Sequence, residues 1–277
     1  MAATTLPPTG AVPSVFGRLA RSRRANERLF YGLIGFVVVL AIWELAGSLG
    51  LYRRSLLSSP SFIWRAAVTD FGNGAIWPHL TTSLTEYSLG FIAALGIGIP
   101  LGLAIGTFRR LDHFVSLLLF GIYSTPKAAI APLIILVAGI GLESKVILVF
   151  LLAFFSVIVS TTAGVHAVAE RHRDIAQSFG ASKWLEFRSV VLPTSVPFLL
   201  TGIRIASGRA LVGVVVAEEL AANQGIGYYI EFTGQFLDTS RVMLGVVLLG
   251  LFGVGLGEFV RRLEKRFEVW RPEVHRS

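Results

Sequence analysis

Six long apolar stretches divide the chain, at about residues 29–51, 88–107, 114–140, 146–165, 196–217 and 242–259, with short polar segments between them. Each is close to the ~20 residues that a helix needs to cross the hydrocarbon core of a bilayer. The pattern predicts an all-α, polytopic membrane protein with six transmembrane helices. Ahead of the first stretch, Pro7, Pro8, Gly10 and Pro13 lie in a segment without apolar periodicity, followed by Arg18, Arg21, Arg23, Arg24 and Arg28. Residues 1–28 therefore read as a disordered basic tail and residues 261–277 as a second basic tail, with the membrane domain over 29–260. The first apolar run is too long for a signal-peptide core and lacks a small-residue cleavage site, so it reads as a retained anchor.

Several residues interrupt the apolar pattern. Glu44 lies inside the first stretch, where a carboxylate is costly unless paired or near the interface, and an interfacial position facing another helix is expected. Ser59-Pro60-Ser61 reads as a helix entry capped by Ser61, with Phe62, Trp64 and Phe71 as aromatic anchors for a helix on the membrane surface. Gly98, Gly102 and Gly106 recur every fourth residue and make a smooth face for close helix packing, as do Gly253 and Gly257. Pro126 and Pro132 break the third stretch around Lys127, which marks it as a candidate wall of a pathway. Residues 220–240 read as a polar outer loop.

The fifth stretch holds Arg204 and Arg209 and ends at Glu218-Glu219. Arg209 falls near the middle, where a lone guanidinium costs at least roughly 2.5–3.5 kcal/mol, so it needs a partner. One reading is a structural ion pair with Glu44 or Glu218. The other has Arg209 and Lys127 making the pathway electropositive for an anionic substrate. Arg204, about 140° away round the helix and nearer its inner end, is placed to snorkel.

Composition supports the membrane reading: 53% hydrophobic and only 15% charged residues are more apolar surface than a soluble domain of this size can hide. The net charge of +8 does not indicate nucleic acid, because the basic residues sit beside the apolar stretches. Of the Lys and Arg, 17 fall in flanks that share a side with the N-terminus and about five in the opposite flanks. That excess predicts both termini in the cytoplasm, and the segment after the fourth stretch with them. Absence of cysteine excludes disulfides, thiolate catalysis and cysteine-held metals. No phosphate loop and no zinc-protease H-E-x-x-H occurs, so neither a catalytic residue nor a cofactor or metal site is expected in this chain. Energised transport must draw on a partner or on an ion gradient.

The longest patterned polar segment is Asp174 to Pro193, D-I-A-x3-G-x9-V-x-L-P. It predicts a short helix, a turn at Gly180 that a β-carbon would resist, and a second helix over Ser182–Val190 stopped by Leu192-Pro193. The segment resembles the cytoplasmic coupling loop, or EAA motif, of ABC importer permeases. Trp43-Glu44-Leu45-Ala46, Gly98-Ile99-Pro100-Leu101-Gly102, Gly202-Ile203-Arg204 and Val214-Val215-Val216-Ala217-Glu218 extend the likeness over residues 29–270. Together they resemble the permease of the nitrate/sulfonate/taurine-type importers. The resemblance implies a type I ABC importer permease fold, a homodimer, two ATPase subunits that bind the ATP, and an extracytoplasmic substrate-binding protein. It implies an ATPase-coupling loop over 168–193, with Asp174, Ile175, Ala176, Gly180, Ala181, Leu192 and Pro193 at the motif positions. A small organic anion such as an alkanesulfonate or taurine is the implied cargo, with Lys127, Arg209, Arg204 and Glu218 as candidate pathway residues. The alternative is an ATPase-independent secondary transporter or channel, whose marks are an internal repeat or paired carboxylates deep in the membrane. No half of this chain is repeated.

Overall fold

The computed structural model describes residues 15–53, 56–168 and 170–266, and among them there are helices and no strands. The helices are α1 (Val15–Ser48), α2 (Pro60–Gly72), α3 (Ile76–Thr107), α4 (Arg109–Ser124), α5 (Ala131–Ala138) and α6 (Leu142–His166), followed by α7 (Glu170–Ser178), α8 (Lys183–Glu186), α9 (Leu192–Ala221), α10 (Ile226–Gln235) and α11 (Thr239–Arg266). Five helical segments are long and apolar enough to cross a membrane: Phe30–Ser48, Ile76–Thr107, Leu142–His166, Lys183–Ala221 and Thr239–Leu263. The remaining expected span, the third, is bent: Arg109–Ser124 and Lys127–Ala138 meet at 81°. Pro126 explains the break, since its ring cannot continue the helix that ends at Ser124. Helix α1 begins at Val15, inside the stretch expected to be a tail; residues 1–14 and 267–277 lie outside the described residues.

Two compact units divide at Phe62. In the first, Glu44 is occupied as a cap: its carboxylate accepts from the Ser61 backbone N–H at 2.9 Å and from Ser61 Oγ at 2.7 Å. Helix α2 thus starts at Pro60, two residues earlier than a Ser61 cap requires, because proline's missing N–H costs nothing in a first turn and Glu44 serves the next donor.

In the second unit, α6 is the central helix, packed along α3 on one side and α9 on the other. The glycine face of α3 permits this. A Cβ on Gly98 would meet Val157 at 3.1 Å, one on Gly102 would meet Thr161 at 2.6 Å and one on Gly106 would meet Val165 at 2.6 Å. Backbones this close gain dispersion contacts that lipid does not replace. Gly202 and Gly213 of α9 are equally tight against Ser160 and Val149. Of the second expected pair, a Cβ on Gly253 would meet Leu211 Cδ2 at 3.3 Å, whereas one on Gly257 would meet nothing within 4 Å among the described residues.

Three sequence expectations are corrected. The second span starts at Ile76 rather than near Ser88, because the polar Thr81, Thr82, Ser83 and Thr85 lie inside the helix, where Thr81 and Thr85 bond carbonyls one turn back. Residues 220–240 contain helix α10 rather than forming only a loop. Pro193 does not stop a helix: the segment from Lys183 continues through a π-helical turn, Phe187–Val191, directly into α9. Proline is tolerated there because the wider turn offsets the lost i→i−4 bond.

Candidate functional site

The 174–193 segment is a helical hairpin. Its turn is closed by Gly180 N–H donating to the Gln177 carbonyl at 2.8 Å and Ala181 N–H to the Ala176 carbonyl at 3.0 Å. These are the two bonds of a Schellman cap, which needs a left-handed residue, and Gly180 has φ +76°. A Cβ there would touch nothing within 4 Å, so the glycine is required by backbone angle alone. Ser182 caps α8 by accepting from the Leu185 N–H at 3.3 Å, and Gln177 Nε2 bonds Glu186 Oε2 at 3.1 Å across the turn. Asp174 and Ile175 are exposed on α7, and its Ala176 is half-buried. At its tip the hairpin presents Phe179 and Trp184, 88% and 69% exposed. Its base is anchored: Val191 joins Val165 and Val168 in an apolar cluster with Leu103, Phe187 and Val190, immediately before Leu192 and Pro193. The hairpin thus combines an anchored base with an exposed apolar tip. The side chains of Arg171 and Arg173 lie outside the described residues.

The broken span brings the two central cations together. Lys127 is 7% exposed, and its Nζ donates to the Tyr123 carbonyl at 2.8 Å and the Thr125 carbonyl at 3.3 Å. Pro126 leaves those carbonyls without helical donors, and the ammonium replaces them at the negative end of α4. The same Nζ lies 5.0 Å from the Phe155 ring and 5.3 Å from the Tyr123 ring. From α9, Arg209 donates through Nη2 to Tyr123 Oη at 3.0 Å, with its Cζ 4.9 Å from the ring centre. The expected pairing of Arg209 with Glu218 is not made: a phenol 86 residues away satisfies the guanidinium instead. Among the described residues of the second unit, no carboxylate pairs with Lys127 or Arg209. Arg204 is exposed on α9.

Glu218 is fully buried in the last turn of α9 and accepts from Ser83 Oγ and the Gly227 N–H, each at 2.6 Å. It caps α10, together with Ser83 accepting from the Ile226 N–H at 2.8 Å and His79 Nδ1 accepting from the Gly225 N–H at 3.1 Å. Beside it, Lys145 in the first turn of α6 pairs with Glu86 of α3 at 2.7 Å, both side chains buried. Sequence reading missed Glu86 by starting the second span after it. A second clasp holds α10 to α2 and α11: Asp70 accepts from Tyr229 Oη at 2.6 Å and from Arg241 Nε and Nη2 at 2.9 and 3.1 Å. Burial opposes the charge on Asp70, but the Arg241 and Tyr229 hydrogen bonds outweigh it and hold the carboxyl below the usual range.

Residues 96–269 match the family model described as "Binding-protein-dependent transport system inner membrane component". The chain belongs to that family: it is a multi-pass membrane permease subunit. It is 32% identical to the taurine transport system permease protein TauC of Escherichia coli (strain K12), over 86% of this chain and 88% of that one. It is 30% identical to the formylaminopyrimidine transport permease protein ThiX of Halalkalibacterium halodurans, over 92% of this chain and 100% of that one. A solved inward-facing form of the MetNI methionine ABC transporter matches with TM-score 0.59 at 17% identity, covering 70% of this chain and 98% of that one. That likeness establishes a fold shared with a chain of that transporter.

Proposed function

We propose that the chain is the membrane-spanning subunit of an ATP-driven, binding-protein-dependent importer of small organic anions, such as an alkanesulfonate or taurine. Two copies form the translocation pathway, two ATPase subunits bind and hydrolyse the ATP, and an external binding protein delivers the cargo. Both termini and the 174–193 hairpin face the cytoplasm, where Phe179 and Trp184 enter a groove of the ATPase. The observation that carries the cargo reading is the convergence of Lys127 and Arg209 on Tyr123, with no carboxylate among the described residues of the second unit paired to either. In a low-dielectric span, two uncompensated cations lower the barrier for an anion far more than they would in water. Of the cargoes named for TauC and ThiX, the sulfonate group of taurine is the one this charge favours.

Reconstitution with the ATPase and binding protein encoded beside it tests the proposal. Taurine or butanesulfonate uptake into proteoliposomes is expected only with ATP and all components present. Uptake by the chain alone under an ion gradient would establish the secondary-transporter reading instead. Reporter fusions after Arg110 and Arg188 are expected to read inside, and fusions after Gly72 and Gln224 outside.

A further inference from the structure

Three ionisable side chains are buried together where α3, α6, α9 and α10 meet: Glu86 is 1% exposed, Lys145 7%, and Glu218 is fully buried. Their hydrogen bonds can be followed atom by atom. Glu218 Oε1 accepts from Ser83 Oγ, and its Oε2 accepts from the Gly227 N–H. Glu86 Oε1 accepts from Lys145 Nζ. Of the four carboxyl oxygens, Glu86 Oε2 alone has no donor among the described residues, although it is buried. Yet the Glu86 and Glu218 carboxyls are hydrogen-bonding neighbours. Two ionised carboxylates offer only lone pairs, so that contact requires a hydrogen that neither has when charged.

The charges call for the same hydrogen. Two carboxylates against one ammonium leave an excess negative charge, and a charge held out of water without compensation is neutralised by a proton instead. Among the described residues, Lys145 is the cation that acts on Glu86, and no cation acts on Glu218. His79 of α3 holds the loop before α10, but its Nδ1 accepts from the Gly225 N–H and so carries no proton there. Arg241 of α11 is paired with Asp70 and Asp238. Glu143 and Glu219, next to the cluster in sequence, are exposed. Backbone closes over the site: a Cβ on Gly225 would overlap the Glu218 carboxyl, and one on Gly227 would meet Glu218 Oε2 at 3.1 Å.

We propose that Glu86 and Glu218 bind one proton between them, with Lys145 as their counter-charge. Glu86 Oε2 is the oxygen free to carry it. The cluster then holds one carboxylic acid, one carboxylate and one ammonium, and is neutral. Glu218 keeps both oxygens for Ser83 and Gly227, so the proton secures the cap that fastens α10 to α9 and α3. The cluster lies at the end of its spans, with Glu218 in the last turn of α9 and Lys145 in the first turn of α6. The proton is therefore a resident part of the fold and not a carried ion, and the site does not depend on the cargo.

The test uses infrared difference spectroscopy on the full chain in dodecyl maltoside, a detergent without a carbonyl group, at about pH 8, where exposed carboxyls are ionised. Wild type minus Glu86→Gln is expected to show the C=O stretch of one protonated carboxylic acid, shifted in D₂O. Wild type minus Glu218→Gln is expected to show the same band, because either substitution leaves one carboxylate matched to one ammonium. Lys145→Met is expected to about double the band, since both acids must then be neutral, and it decides the matter if Glu218→Gln misfolds. The Glu86→Gln amide supplies the missing hydrogen permanently, so its melting temperature is expected to equal or exceed that of wild type. Absence of the band in wild type, as a bound metal cation in place of the proton would give, overturns the site. Survival of the band in either Gln variant, or a large fall in the melting temperature of Glu86→Gln, overturns the sharing.

Discussion

The molecule breaks its helices at Gly180 and at Pro126, and the breaks are built differently. At Gly180 the chain turns through a left-handed glycine, and the orphaned carbonyls of α7 are satisfied by backbone N–H groups of the next two residues. At Pro126 the chain turns through proline, and the carbonyls at the end of α4 are satisfied by a lysine ammonium. The hairpin closes its own bonds, which leaves its side chains available: Phe179 and Trp184 point outward. The membrane break cannot rely on water for its carbonyls, so it recruits a cation. That cation is then held where a second, Arg209, also arrives. One break leaves apolar side chains exposed, whereas the other, inside an apolar span, gathers charge.

Substitution at Gly180 makes the largest break in this contrast. Gly180→Val places a β-branched residue at φ +76°, at a cost of about 1 kcal/mol or more. Since no neighbour crowds the position, the damage is confined to the hairpin. Loss of ATP-driven uptake is expected while membrane insertion and the melting temperature of the permease stay near wild type. Full uptake in this variant would end the coupling assignment.

Lys127→Met tests the other break. It leaves the Tyr123 and Thr125 carbonyls buried without their donor, which is expected to destabilise the chain by about 1–3 kcal/mol in detergent melts. Lys127→Arg is expected to recover part of that loss. Equal stability of Lys127→Met and wild type would mean that lipid or water already serves those carbonyls.

The Asp70 clasp provides a smaller, pH-dependent contrast outside the membrane. Asp70→Asn loses the charge that Arg241 and Tyr229 hold, a cost of about 1–2 kcal/mol with Arg241 partly exposed. The folded carboxyl titrates below its unfolded value of ~3.9, so its contribution is fully present above that pH and is lost as pH falls through the folded value. The stability gap between wild type and Asp70→Asn is therefore expected to be flat from about pH 6 to 8 and to close below about pH 4. A gap that widens on acidification would contradict the clasp.

The smallest effect separates a glycine that packs from one that does not. Gly257→Ala is expected to be neutral or slightly stabilising, because its Cβ meets open space and alanine is the better helix former. Gly102→Ala drives a Cβ within 2.6 Å of Thr161 and is expected to loosen α3 from α6, read as a lower melting temperature.

Residue pattern alone determined the features that depend on near neighbours. The apolar stretches, the proline break at 126, the glycine face at 98–106 and the left-handed turn at 180 all follow from properties of residues within a few positions of one another. The extent of the spans was less legible. Polar Thr81 and Thr85 near the start of α3 interrupt the apolar pattern, yet their hydroxyls bond carbonyls within the helix. Pro193 reads as a stop in sequence, yet the π-helical turn ahead of it carries the helix through into α9. Tertiary structure alone decided who partners whom among the buried charges. Arg209 finds Tyr123 rather than Glu218, Lys145 finds Glu86, and Glu218 caps α10. Hydropathy records that a charge lies in a span, but the partner depends on which helix faces dock and at what height. Those are set by shape at glycine contacts far away in sequence, not by the charged residues themselves.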